Sequence, residues 1–193
     1  ALAGAPDTGV NPGLLLLDGQ QRLTTLYHCF RGDGYVDTTD FRSKKVSRKY
    51  YVDLRKAASE DIMPDEAVFA VNQHGDLRSH FAPDIEGAIT SRETAVNECC
   101  IPVSALLSEE GTSMLFELAA ANDGAYRDAV AAFNNRILRP LSGYTVPMIR
   151  LSRETARSGI GSIFAQVNSA GLQMDVFDLL TAVFASEDPD FHL

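Results

Sequence analysis

The chain switches between two hydrophobic periods, and the switches mark its elements. Leu14 to Leu17 form a short apolar run closed by Asp18-Gly19, which predicts a buried strand entering a tight turn over residues 13–19. Leu23, Leu26, Tyr27 and Phe30 then recur at helical spacing, so a helix begins directly after the turn. Residues 31–49 read as a Gly/Asp/Thr-rich connector that turns basic. Tyr50 to Leu54 and Ala67 to Val71 predict short strands, the second followed by Asn72-Gln73-His74-Gly75 turn chemistry. The period is weak over 73–100, which reads as irregular with a helix near 84–97.

Helical spacing returns from Ser113 to Leu138. Met114, Leu115 and Leu118, then Tyr126, Val130, Phe133 and Ile137, share one face, and Asn122-Asp123-Gly124 splits the run into two helices. Tyr144 to Leu151 is apolar and β-branched enough to predict a strand in spite of Pro147. Ile160, Ile163, Phe164 and Val167 mark a helix that stops at Asn168-Ser169-Ala170-Gly171. Asp175 then fits an N-cap, and Val176, Leu179, Leu180, Val183 and Phe184 predict a second helix. Segments 156–167 and 176–186 would form a helical hairpin. No internal repeat, low-complexity tract or linker interrupts the pattern. The expectation is one α+β domain over residues 1–193, predominantly helical, with a small sheet carrying the strand-turn-helix at Asp18.

Composition narrows the function classes. Of 193 residues, 45% are hydrophobic and 22% charged, the balance of a globular domain. The longest aliphatic run, Leu14 to Leu17, is far short of a membrane span, and no signal peptide is visible, so a cytoplasmic protein without membrane contact is expected. Cys99 and Cys100 are neighbours, whose disulfide would need a strained ring, so free thiols are expected, and Cys29 falls in an apolar helical pattern. His28, His74, His80 and His192 lack ligand spacing and read as surface or packing residues.

The net charge of −9 argues against a broad phosphate footprint. Residues 1–60 nevertheless carry nine Lys/Arg against seven Asp/Glu, a net of +2, which leaves −11 for the remainder. A polyanion would therefore be accommodated most cheaply in the first third. There, Arg42, Lys44, Lys45, Arg48 and Lys49 fit either phosphate contacts or a solvated loop.

The chemistry concentrates in Asp18-Gly19-Gln20-Gln21-Arg22. Between a strand and a helix, free N–H groups and the helix dipole favour an anion. Gly19 removes a side chain where a phosphate would approach. Arg22 offers a planar fork for two phosphate oxygens, and Asp18 is a candidate magnesium ligand, directly or through water. Gln20 or Gln21 would orient a water or read a base. A plain structural turn accounts for the same residues, since Asp-Gly turns are common.

A resemblance bears on that choice. LLLLDGQQRLTTLY, residues 14–27, resembles the motif of the GmrSD-type restriction endonuclease N-terminal domain. IFAQVNSAGLQMDVFDLLTAVFA, residues 163–185, is similar to that family's Asn-small-small-Gly segment and the helix after it, and the intervening YTVPMIRL fits the order. The family is related to the ParB/sulfiredoxin-like fold, so the resemblance implies a small sheet of that type carrying the DGQQR turn. It implies nucleotide binding by Asp18, Gly19, Gln20, Gln21, Arg22, Asn168 and Gly171, with catalytic roles for Asp18, Gln21 and Arg22 and a metal role for Asp18. Asn168 and Gly171 read equally as a helix cap and turn.

The family's upstream Ile-Pro-x-Tyr-Gln-Arg segment and a His-metal nuclease domain have no counterpart in this chain, which also lacks tryptophan. A fragment of a larger protein is therefore expected. The implied cofactors are a nucleoside triphosphate and Mg2+. The implied partners are modified DNA through the full-length protein and a nuclease domain in cis or in trans, with homodimerisation left open. No GxxxxGK[ST] pattern occurs, so hydrolysis would not be of the Walker type. The alternative is a non-catalytic DNA-sensing or protein-interaction module in which the same turn holds a DNA phosphate.

Overall fold

The computed structural model describes residues 6, 9–10, 16, 19–39, 42–59, 64–77, 85 and 87–151. Most of the strand expected at 13–19, Asp18 itself, and the whole helical hairpin with Asn168, Gly171 and Asp175 lie outside the described residues. Contacts divide the chain into two units, Ala1–Leu23 with Val146–Leu193, and Thr24–Thr145. The second contains nearly all of the described structure.

Its centre is a four-stranded antiparallel sheet. Strands β1 (Tyr35–Thr39) and β2 (Lys45–Asp53) form a hairpin, with Tyr35 opposite Lys49 and Thr39 opposite Lys45. Strand β3 (Val68–Val71) pairs with the later half of β2, Tyr51 facing Phe69. Strand β4 (Cys100–Pro102) pairs with the end of β2, Asp53 facing Cys100. Lys49 pairs with both Tyr35 and Val71, and Tyr51 with both Phe69 and Pro102, so β1 and β4 share one edge of β2 and β3 takes the other. Where β1 meets the turn after β4, backbone and side chain come very close. A Cβ on Gly34 (φ +76) would lie 2.7 Å from Ser104 Oγ, which leaves room only for glycine.

The hairpin corrects the expected connector over 31–49. The Asp33 side chain accepts from Tyr35 N at 3.0 Å and opens the strand, and Val36 is buried. Its Gly, Asp and Thr residues conceal a strand because only Val36 of β1 is buried, while Asp37, Thr38 and Thr39 are exposed and carry no apolar alternation.

Helix α1 (Gln20–Phe30) begins directly after Gly19, as its periodicity predicts, and Cys29 is its buried residue. Helix α2 (Leu54–Ala58) is capped by Asp53 at the end of β2. Helix α3 (Arg92–Asn97) lies inside the helix expected at 84–97, started by a Ser91–Thr94 capping box. Strand β4, which begins at the end of the region read as irregular, follows it. Helices α4 (Glu109–Ala120) and α5 (Arg127–Phe133) are separated as expected at Asn122-Asp123-Gly124, where Asp123 takes φ 56. A π turn, Asn134–Leu138, leads into α6 (Arg139–Ser142), because Pro140 has no N–H to continue the α register.

Helix α2 packs on α5, and α4 packs on α5, α3 and β4. Leu54, Ile101, Met114, Leu118 and Phe133 are the large apolar side chains fully enclosed there. Each such side chain contributes roughly 1.5–3 kcal/mol. Arg136 donates to the Ala58 carbonyl at 2.8 Å, closing the C-terminus of α2.

The strand expected at Tyr144 to Leu151 is not formed. Residues 144–150 carry no assigned element, and Tyr144, Val146, Met148 and Ile149 are exposed. Apolar content alone does not make a strand. The segment finds no ladder partner among the described residues, and Pro147 has no N–H to offer one.

Candidate functional site

Gly19 immediately precedes α1, and its carbonyl accepts the first intrahelical bond from Leu23 N at 2.9 Å, which makes it the N-cap. Its φ of +82 lies in the left-handed region, where a Cβ is strained. A Cβ built there would sit 3.6 Å from Arg22 Nη2 and 3.8 Å from Nε. The Arg22 guanidinium therefore folds back over the Gly19 backbone, and a side chain at position 19 would fill the space between them. Gln20, Gln21 and Arg22 are exposed, and the first turn of α1 holds no acidic residue to compete for an anion.

The structure thus brings Gly19, Gln20, Gln21 and Arg22 onto one helix start. Asp18, Asn168 and Gly171 fall outside the described residues, and the rest of the inferred constellation with them. Among the described residues no group of three or more His, Cys, Asp or Glu is placed to hold a metal ion. No helix among them is long and apolar enough to cross a membrane.

The model of the GmrSD restriction endonuclease N-terminal domain matches residues 3–185, almost the whole chain. The chain belongs to that family. Membership places this GmrSD N-terminal domain among restriction-system domains. It is also similar to an uncharacterized protein of Methanocaldococcus jannaschii, 25% identical over 177 residues, which is 90% of this chain and 28% of that protein. The chain therefore spans little more than a quarter of that relative. No solved structure matches it.

Two groups in the Thr24–Thr145 unit escaped the sequence reading. One is Asp53, a carboxylate only 1% exposed that caps α2 and binds Arg55. Asp ahead of Leu-Arg-Lys-Ala-Ala was a legible cap signal, masked because residues 50–54 read as one strand. The other is a cleft of about 500 Å3 on the sheet, lined in part by Tyr35, Lys49, Tyr51 and His74. These residues come from separate strands and a turn, so no local spacing announces them.

Cys29, Cys99 and Cys100 are free and buried; the free state of Cys99 and Cys100 and the burial of Cys29 are as expected. Burial pushes the Cys99 thiol up to about 12, with Asp53 adding to the effect against the opposing pull of Arg55. Cys100 is raised further, first by burial and then by Asp53. Neither is a nucleophile near neutral pH.

Proposed function

We propose that this GmrSD N-terminal domain is a nucleotide-binding, NTP-hydrolysing regulatory domain of a modification-dependent restriction system, with Asp18–Arg22 as its phosphate turn. The observation that carries the reading is the space between the left-handed Gly19 and the Arg22 guanidinium, at the start of a helix without acidic residues in its first turn.

In this reading the first N–H groups of α1 point at the phosphate, and Gly19 lets it approach the backbone. Arg22 grips two of its oxygens and stabilises the charge that develops on the terminal phosphate. Gln21 orients the attacking water, Gln20 lies against the nucleotide, and Asn168 and Gly171 complete the pocket. Magnesium, taken through Asp18 together with phosphate oxygens, supplies charge neutralisation. Modified DNA is engaged through the full-length protein, and cleavage belongs to a nuclease domain in cis or in trans. The protein works in the cytoplasm.

The test is a thermal-shift titration of the full-length protein with nucleoside triphosphates and magnesium. A nucleotide at a hundred times its Kd should stabilise by about 2.7 kcal/mol. Arg22→Ala should abolish the shift and hydrolysis with little change in the ligand-free midpoint, and Arg22→Lys should restore only part, because one ammonium cannot reproduce the fork. Unchanged affinity in Arg22→Ala, with a large loss of stability, would end the phosphate-turn reading.

A further inference from the structure

The cleft on the sheet is polar, and among the described residues none that lines it is Asp or Glu, in a chain whose net charge is −9. Lys49, Tyr35 and Tyr51 meet there because Tyr35 pairs across the hairpin with Lys49, and Tyr51 follows two residues later on the same face of β2. The Lys49 ammonium stands 5.6 Å over the Tyr35 ring. Its stem also lies against the Gly34 backbone, where a Cβ would come within 3.6 Å of Lys49 Cε. Among the described residues Lys49 forms no ion pair with a carboxylate.

Tyr51 is the decisive residue. It is 7% exposed, with its ring stacked on Phe69 at 5.9 Å. Among the described residues nothing hydrogen-bonds its hydroxyl. Yet none of their buried side-chain oxygens lacks a partner while shut off from solvent, so the hydroxyl keeps contact with solvent, and Tyr51 lines the cleft. Burial, aided by nearby Tyr35, Cys100 and Glu110, holds this phenol at about 12, so it remains a proton donor. Gln73 and His74 border the cleft from the turn after β3. Arg92 borders it as well, but its charge is spent on Glu117, bound at 2.8 Å, and on Glu110 at 3.8 Å.

A cleft whose described lining holds a confined ammonium, a nearly buried hydroxyl and no Asp or Glu suits an oxyanion that accepts from several directions. Glu110, near enough to act on Tyr51, is itself paired with Arg92. We propose that this cleft binds the phosphate group of a ligand, through Lys49 and the hydroxyls of Tyr51 and Tyr35, as an anion site sharing no residue with the Gly19–Arg22 turn. The phosphate comes from a small molecule or from a nucleic-acid strand. Lys45 lies four residues from Lys49 on the same face of β2, roughly 13 Å away at the strand rise, and would meet a further phosphate of a strand.

The two sources separate in one experiment on the Arg22→Ala chain and on Lys49→Met and Tyr51→Phe made in that background, so that phosphate held by the Gly19–Arg22 turn does not contribute. Inorganic phosphate is titrated by thermal shift, and a labelled single-stranded oligothymidylate by fluorescence anisotropy. Binding in either arm should weaken at least tenfold in Lys49→Met, which keeps the stem but not the charge. It should weaken several-fold in Tyr51→Phe, which keeps the stacked ring. Binding of inorganic phosphate identifies a small ligand; binding of the oligonucleotide alone identifies a strand, and either upholds the site. Absence of binding in both arms, or affinity unchanged from the Arg22→Ala parent in folded Lys49→Met and Tyr51→Phe, overturns it.

Discussion

The carboxylate of Asp53 holds Arg55 three times, through the backbone N–H at 2.9 Å and through the guanidinium Nε at 3.2 Å and Nη2 at 3.3 Å. The same guanidinium donates to the Glu98 carbonyl at 3.0 Å, and Lys56 N reaches Asp53 at 3.5 Å. One buried carboxylate therefore ends β2, starts α2 and ties both to the turn before β4. Charge burial is tolerable here because the oxygens receive several donors and because Arg55 keeps a 40% exposed side chain.

Asp53→Ala should cost about 2 kcal/mol, the upper part of the range for a lost N-cap, because guanidinium and backbone donors are orphaned together. Asp53→Asn should cost less, since an amide oxygen still caps. Urea midpoints of the two variants decide it, and equal losses would show that charge, not capping, is what Asp53 supplies.

Gly111 sits inside α4, where alanine is favoured by about 1 kcal/mol on propensity alone. A Cβ there would lie 2.0 Å from the Ala105 carbonyl oxygen, which the turn before α4 holds in place. The clash outweighs propensity, and Gly111→Ala should destabilise by about 1–3 kcal/mol. A raised melting temperature would show that the turn yields.

Phe133 ends α5 with no exposed surface. Truncation to alanine should cost on the order of 3–5 kcal/mol, whereas Phe116→Ala, at a position 74% exposed on α4, should stay within about 0.5 kcal/mol. Denaturant titration of the pair checks the assignment of inside and outside.

Stability should fall on the alkaline side. Burial raises the Cys99 thiol from an ordinary 9.0 to about 12, and Tyr51 from 10.0 to about 12. Above pH 9.0 the unfolded chain releases these protons while the folded chain keeps them, so ionisation favours unfolding. The contribution is complete below that pH and is lost progressively toward about 12. Urea midpoints from pH 7 to 11 should be flat and then decline, and a flat profile throughout would show that these groups titrate normally in the fold.

Local chemistry alone determined a good part of this protein. The start of α1 after Gly19, the break at Asn122-Asp123-Gly124, the later strand residues of β2 and β3, and the turn after β3 follow from period, caps and turn residues. These act between positions at most four apart. The DGQQR turn was legible for the same reason, since a helix start, a left-handed glycine and an arginine three residues on are all neighbours in the chain. Tertiary structure decided the rest. The segment 31–49 became a hairpin because β2 was there to pair with it, and 144–150 found no such partner among the described residues. Asp53 was buried only because Arg55, Glu98 and Cys100 were brought around it. The Lys49–Tyr51 cleft likewise exists only once Tyr35, Gly34 and His74 are folded onto one face, and their separation in the chain leaves no period to read. Spacing records what a residue meets within one turn or strand; long-range pairing and burial depend on which distant segments compete for the same edge and the same core.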